Sequence, residues 1–164
     1  MLVIIFNIFY YKITFMKSLI LKRVNKENIE TLLFIERSLD NLKTYSPILT
    51  NEEMKESLEK CVKYIIEKDE EVVGSYSYEI KSKDNVNIGG PAILPEFQGQ
   101  GIAKEITGRI LEELKDYKRI DLEIHPDNLI SLKLFKSFGF IVESKVENYY
   151  GDGEPRLILF KIKI

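Results

Sequence analysis

The chain has 164 residues, 45% of them hydrophobic and 30% charged, with a formal net charge of −2. That is an ordinary balance for one globular domain with a sizeable core, and it excludes a protein built on nucleic-acid electrostatics. The single cysteine, Cys61, rules out an internal disulfide and a cysteine metal cluster. Within the apolar run Cys61-Val62-Lys63-Tyr64-Ile65-Ile66 it reads as a small buried hydrophobe, not as a nucleophile.

Met1 to Phe15 is nearly all apolar and aromatic. It is too short to span a membrane as a helix, and it lacks the basic start and small-residue cleavage site of a signal peptide. Met16 then opens MKSLILKRV, which reads as the start of a domain. The expected division is an apolar extension over 1–15 and a single domain over 16–164. A chain beginning at Met16 is expected to fold and to bind its ligand. Insolubility or a changed oligomeric state of that shortened chain would make the extension a strand or an interface. Neither a nucleic acid nor a membrane is expected as partner, the expected location is cytoplasmic, and a homodimer is left open.

From Met16 the elements follow in order. Ser18 to Val24 alternates as a strand, and Asn25 caps a helix carrying Ile29, Leu32, Leu33 and Ile35. Asp40 to Pro47 is a loop. Thr50 and Glu53 make a capping box for a short second helix with Met54 and Leu58. Lys60 to Glu67, Glu71 to Ile80 and Val86 to Leu94 are strands, separated by turns at Asp69-Glu70 and at Lys81 to Asn85. Gly89, Gly90 and Pro91 sit inside the third of these, where they predict a bulge or a splay. Ile102, Ala103, Ile106, Ile110, Leu111 and Leu114 have helical spacing, in a helix ending near Asp116. Arg119 to His125 is a strand with Ile120, Leu122 and Ile124 on one face. Asn128 to Phe138 is a helix with Gly139 at its C-terminal end. Phe140 to Val146 and Leu157 to Ile164 close the chain as two strands around a polar turn at Gly151-Asp152-Gly153.

The most informative stretch is Gln98-Gly99-Gln100-Gly101-Ile102-Ala103, which joins a strand to a helix. The first N–H groups of a helix lack intrahelical partners, and the helix dipole adds positive potential there. Gly99 and Gly101 let main chain approach a phosphate with no side chain between. The turn is therefore shaped for a pyrophosphate. It has no Gly-Lys-Ser/Thr and lacks the full G-x-G-x-x-G spacing, so neither familiar nucleotide loop fits.

These residues resemble the acetyl-CoA loop of the GNAT N-acetyltransferase superfamily, Arg/Gln-x-x-Gly-x-Gly/Ala, with Gln98, Gly101 and Ala103 in its three places. The order β-α-α-β-β-β-α-β-α-β-β resembles that family's fold. So does Leu122-Glu123-Ile124-His125-Pro126-Asp127-Asn128 followed by Leu134-Phe135-Lys136-Ser137-Phe138-Gly139-Phe140, where an Asn opens a helix that ends in Gly-Phe. Asn148-Tyr149-Tyr150 with Asp152-Gly153 is similar to the branch that includes ribosomal-protein alanine N-acetyltransferases. The resemblance implies an α/β (α+β) fold with a mixed sheet of about seven strands, splayed at the cofactor site, and about four helices.

It also implies an enzyme that transfers an acetyl group from acetyl-CoA, or another short acyl-CoA, to a primary amine of a small molecule or peptide by direct attack in a ternary complex. The main-chain N–H groups of Gly99, Gln100, Gly101, Ile102, Ala103 and Lys104 would hold the pyrophosphate, with the Gln98 side chain helping. Pro91, Ala92 and Ile93 would pair with the pantetheine arm, and Asn128 would contact the cofactor. Glu123 falls at the general base of that branch, with His125 as a second candidate on the same face. Phe135 stands against the cofactor where the family usually has a tyrosine that donates a proton to the leaving sulfur. Phe cannot donate, so Tyr149 or Tyr150 is the candidate stand-in. The acceptor is expected between the Asp40–Thr50 loop and the Asn148–Arg156 turn. The alternative is a catalytically inactive acyl-CoA-binding regulatory module.

Overall fold

The computed structural model describes residues 19–163. The apolar stretch 1–15 and the expected domain start at Met16 lie outside the described residues. Seven strands form one sheet in the order β1-β2-β3-β4-β5-β7-β6: β1 (Leu19–Arg23), β2 (Val62–Lys68), β3 (Glu71–Ile80), β4 (Asn85–Ile93), β5 (Arg119–Ile124), β6 (Ile141–Val146) and β7 (Arg156–Ile162). The four helices are α1 (Ile29–Arg37), α2 (Asn51–Lys60), α3 (Ile102–Glu113) and α4 (Leu129–Ser137). β4 and β5 pair in parallel and the other neighbours pair antiparallel, so the sheet is mixed, as expected.

Local chemistry sets the boundaries. Asp69 and Glu70 both take positive φ, +54° and +67°, the conformation of a two-residue turn that matches strand twist. At α2 the capping box closes as expected: Thr50 Oγ1 accepts from the Glu53 N–H at 3.2 Å, and Glu53 Oε2 accepts from the Thr50 N–H at 3.2 Å. At α1 the outcome differs. Asn25 caps a single 3₁₀ turn, Lys26–Asn28, because the Asn28 side chain reaches back to the Asn25 N–H at 3.1 Å; the α-helix begins at Ile29. Asn128 is the N-cap of α4 and stands just outside it.

The sheet separates two apolar layers. Ile102, Ile106, Ile110 and Leu114 of the α3 segment pack with Val86, Ile88, Leu122 and Leu159. On the opposite face α1 and α2 supply Ile29, Leu32, Leu33 and Met54 against Ile65. β4 changes sides along its length. Val86 and Ile88 belong to the α3 layer, whereas Ala92 and Leu94 pack with Ile35 and Leu39 at the end of α1. The switch is a bulge: Tyr78 pairs with Ile88 and Ser77 with Gly90, which leaves Gly89 as the extra residue. A Cβ on Gly89 would lie 2.4 Å from Ser77 Oγ, so that hydroxyl would have to turn away to admit any other residue.

The parallel ladder between β4 and β5 is short. It runs from Asn85–Arg119 to Asn87–Asp121 and stops just before the bulge. Beyond Asn87 the two strands part, and the β5-facing edge of β4 is left open through Gly90-Pro91-Ala92-Ile93. This is the splay that Gly89, Gly90 and Pro91 predict.

Candidate active site

Downstream of the splay the chain makes one 3₁₀ turn, Pro95–Phe97, then the glycine loop, then α3. Gly99 and Gly101 have φ of +74° and +81°. The first helical bond of α3 runs from the Glu105 N–H to the Gly101 carbonyl at 3.1 Å. None of the hydrogen bonds among the described residues uses the N–H of Gly99, Gln100, Gly101, Ile102, Ala103 or Lys104. Six successive main-chain donors are thus left at the positive end of a 12-residue helix. A Cβ at Gly99 or Gly101 would meet nothing within 4 Å, so the space over the loop is open.

Two side chains brace this loop. Gln98 Nε2 donates to the Ile93 carbonyl at 2.9 Å, tying the loop to the end of β4. Gln100 Oε1 accepts from Lys68 Nζ at 2.6 Å, which brings an ammonium from the end of β2 to the loop. Sequence reasoning missed Lys68, which lies 30 positions before the loop and looks like any solvated strand end.

A cavity of about 1010 Å³ opens from the splay toward the α1–α2 loop and the β6–β7 loop. Gly90, Pro91, Asn128 and Phe135 line one side of it, and Glu123, Tyr149 and Tyr150 another. Ala92 and Ile93 are buried, each 7% exposed, beside this wall. Phe135 is 2% exposed, packs edge-on against Phe140 at 5.5 Å, and points its ring tip at Gly90: a Cβ there would lie 3.5 Å from Cζ. Asn128 Oδ1 accepts from the Ser131 N–H at 3.1 Å, so the residue both caps α4 and lines the cavity.

Glu123 projects from β5 opposite the buried Leu122 and Ile124. Its Oε1 accepts from Asn87 Nδ2 at 2.8 Å and from the Tyr149 hydroxyl at 3.2 Å. Burial raises its pKa above the usual carboxylate value of 4.5. The two hydrogen bonds oppose that shift, Asp121 adds to it, and Lys81 opposes it. The outcome is an oriented carboxylate with a strengthened affinity for a proton. The Tyr149 proton is engaged with Glu123, and the Tyr149 ring packs at 87° on Tyr150, 4.8 Å between centroids.

His125 has a different task. It is 2% exposed, its Nδ1 accepts from the Asp127 N–H at 3.0 Å, and so Nε2 carries the proton and donates to Glu154 at 3.0 Å. Both ring nitrogens are occupied, which leaves no lone pair for an acceptor amine. Glu154 also lies 3.7 Å from Lys43, so the histidine anchors the β6–β7 loop beside the α1–α2 loop. The same two loops meet again where Ser46 donates to Asp152 at 2.6 Å and Arg156, 3% exposed, donates to Asp152 at 2.9 Å. The segments expected to flank the acceptor are therefore joined, and they form the outer wall of the cavity.

Other cavity groups escaped the sequence. Asn87 has no motif around it. Glu36 is 7% exposed at the end of α1, where Oε2 accepts from the Tyr45 hydroxyl at 2.9 Å and the Ile48 N–H at 3.1 Å. Its spacing was a usable signal, because it continues the apolar stripe of Leu32 and Leu33 at i+4 and i+3. Cys61, expected as buried, is a half-buried free thiol at the C-terminal cap of α2 and lines the same cavity.

A strand splay that exposes main chain, a donor-rich loop at a helix start and an oriented carboxylate on the cavity that opens at the splay are the parts of a site for an anion-bearing cosubstrate. The chain belongs to the acetyltransferase (GNAT) family, whose model matches residues 27–140. Acetyl-CoA is that family's acyl donor, and the six free N–H groups, the open loop and the open edge of β4 fit it. A protein of Bacillus subtilis (strain 168), named as a candidate ribosomal protein bS18-alanine N-acetyltransferase, is 33% identical over 99 residues, 58% of this chain. The match spans 65% of that relative's length. Among solved structures, the ribosomal-protein-S18-alanine N-acetyltransferase of Escherichia coli superposes with a TM-score of 0.74 at 16% identity, covering 89% of this chain and 94% of that one. A ribosomal L7/L12 alpha-N-protein acetyltransferase in complex with coenzyme A gives 0.73 at 17% identity, covering 88% and 94%. These two establish the fold. Among the described residues no helix is long and apolar enough to cross a membrane.

Proposed function

We propose that this protein is a cytoplasmic, acetyl-CoA-dependent N-acetyltransferase that acetylates the terminal amine of a peptide or protein by direct attack in a ternary complex. The observation that carries this reading is Glu123: a proton-seeking carboxylate, fixed by Asn87 and Tyr149, on the cavity that opens at the splay. The names of the relatives supply the substrate class. Acetyl-CoA supplies an activated acyl group as a thioester. The N–H groups of Gly99 to Lys104 bind the diphosphate, Lys68 adds charge, and Gln98 keeps the loop in place. Along the open edge of β4 at Pro91, Ala92 and Ile93, Pro91 has no N–H and the Ile93 carbonyl holds Gln98, so the Pro91 carbonyl and the Ile93 N–H are the main-chain partners left for an extended amide arm, and Asn128 and Phe135 flank it. Glu123 takes the proton from the acceptor ammonium, and holding amine and acyl group together removes most of the entropic barrier. A screen of peptides with different N-termini, read by thiol release, tests the reading. Stabilisation by acetyl-CoA without thiol release from any amine would leave a binding module instead.

The proton for the departing sulfur is a separate question, tested by three substitutions. Tyr149→Phe removes a donor that lowers the Glu123 pKa, so the rise of kcat/KM with pH should move to higher pH while the plateau stays. A fall in the plateau with no movement of that rise would make Tyr149 the acid. Tyr150→Phe should matter only if Tyr150 is the acid. Phe135→Tyr places a hydroxyl near Gly90 and should speed the reaction if the sulfur otherwise leaves unaided. A leaving thiol with pKa about 8.5 already departs acceptably at neutral pH, so unchanged rates in both hairpin variants would remove the stand-in idea.

A further inference from the structure

The inner wall of the cavity carries a cation that the described fold does not use. Lys63 lies on β2, two residues before Ile65 and on the same face. Ile65 passes under α1 and α2 into the core with Leu32, Leu33 and Met54. Lys63 comes out where that layer ends, among Ser57, Cys61 and Ser77 on the cavity lining. It is only 7% exposed. None of the hydrogen bonds or ion pairs among the described residues uses its ammonium. The other cations on this wall are all engaged: Lys81 with Glu79 at 2.7 Å, Arg119 with Asp121 at 2.7 Å and Arg156 with Asp152 at 2.9 Å. Glu36 feels the Lys63 charge, but its Oε2 is taken by Tyr45 and Ile48 and no ion pair forms.

The stem of Lys63 is packed away while its ammonium, held by no oxygen of the described residues, presents three donors to the cavity, where an oxygen anion arriving with a ligand can take them. We propose that Lys63 is a specificity-determining residue that receives a side-chain carboxylate of the acceptor, so that the enzyme prefers peptides with an acidic residue near the acetylated terminus. This rests on the acetyltransferase reading above. The carboxylate reaches Lys63 from the same cavity that presents the amine to Glu123, so the selection acts on binding and not on the proton transfer.

The test uses the full chain and three peptides that differ at one early position, Asp, Asn or Lys. Wild type should show a KM for the Asp peptide roughly tenfold below that for the Asn peptide, with similar kcat. Lys63→Met keeps the packed stem and should erase that difference; Lys63→Arg should retain it and Lys63→Glu should favour the Lys peptide. Glu36→Gln, which removes the competing anion but can still accept from Tyr45, should widen the preference. Equal KM for Asp and Asn peptides in wild type, or a preference that survives Lys63→Met, overturns the proposal. Thermal stabilisation by the matching N-acetylated peptides, measured with CoA present, reads the same selection without turnover. An enzyme that acetylates without charge preference defeats the Lys63 proposal alone. A protein that releases no thiol defeats the acetyltransferase reading, and the binding series still decides Lys63.

Discussion

Glu123→Gln should lower turnover by about 10²–10⁴-fold at neutral pH while leaving acetyl-CoA affinity nearly unchanged. The amide keeps the shape and can still accept from Asn87, so what is removed is the proton acceptor. The loss should shrink as pH rises, because an α-amine with pKa about 8 then deprotonates itself. A second effect has the opposite sign. Burial raises the Glu123 pKa above 4.5, so folding disfavours the ionised form. A group raised in this way contributes favourably only below its unfolded pKa and becomes a burden as pH climbs through the folded value. The Gln variant should therefore melt at a higher temperature than wild type at neutral pH, and the gain should vanish as pH falls below 4.5. Wild-type turnover in the variant would place the base elsewhere, and a lower melting temperature at neutral pH would contradict the burial argument.

Gly101→Glu should abolish stabilisation by acetyl-CoA. At a concentration a hundred times its dissociation constant the cosubstrate should add about 2.7 kcal/mol to wild type. The substitution sets a negative side chain at the start of α3, amid six donors waiting for an anion, and reverses the local potential. Gly101 has φ of +81°, so any side chain there is strained by about 1 kcal/mol. Gly101→Ala separates the two causes. It carries the strain without the charge and, with open space around its Cβ, should keep most of the acetyl-CoA shift. Equal shifts in wild type and Gly101→Glu would mean that the diphosphate sits elsewhere.

Both predictions concern residues that the sequence exposes, and the reason is locality. The glycine loop, the Thr50–Glu53 box and the Asp69-Glu70 turn each close within a few residues, so their chemistry is written in adjacent letters. The bulge of β4 announces itself through Gly89, Gly90 and Pro91. What stayed hidden is set by distance along the chain. Asn87 meets Glu123 across 36 positions and Tyr149 meets it across 26. Lys63 looks like the polar phase of an alternating strand until α1 and α2 cover that face. His125 was legible as a titratable group beside Glu123, but only the fold reveals that Asp127 and Glu154 occupy both its nitrogens. Gln98 donates to the Ile93 carbonyl, a contact that its place in the glycine loop does not announce.

Gly89 is an extra residue that the sheet carries without changing which side chains of β4 it buries. Ile88 before it faces α3, and Ala92 after it faces α1, an arrangement that a regular strand one residue shorter would also satisfy. Deleting Gly89 would leave each buried side chain of β4 on its present side, while Pro91, which has no N–H, would still interrupt any ladder along the β5-facing edge. The extra residue is thus absorbed at a single point of the ladder, and an alignment that treats this position as an ordinary gap would miss it.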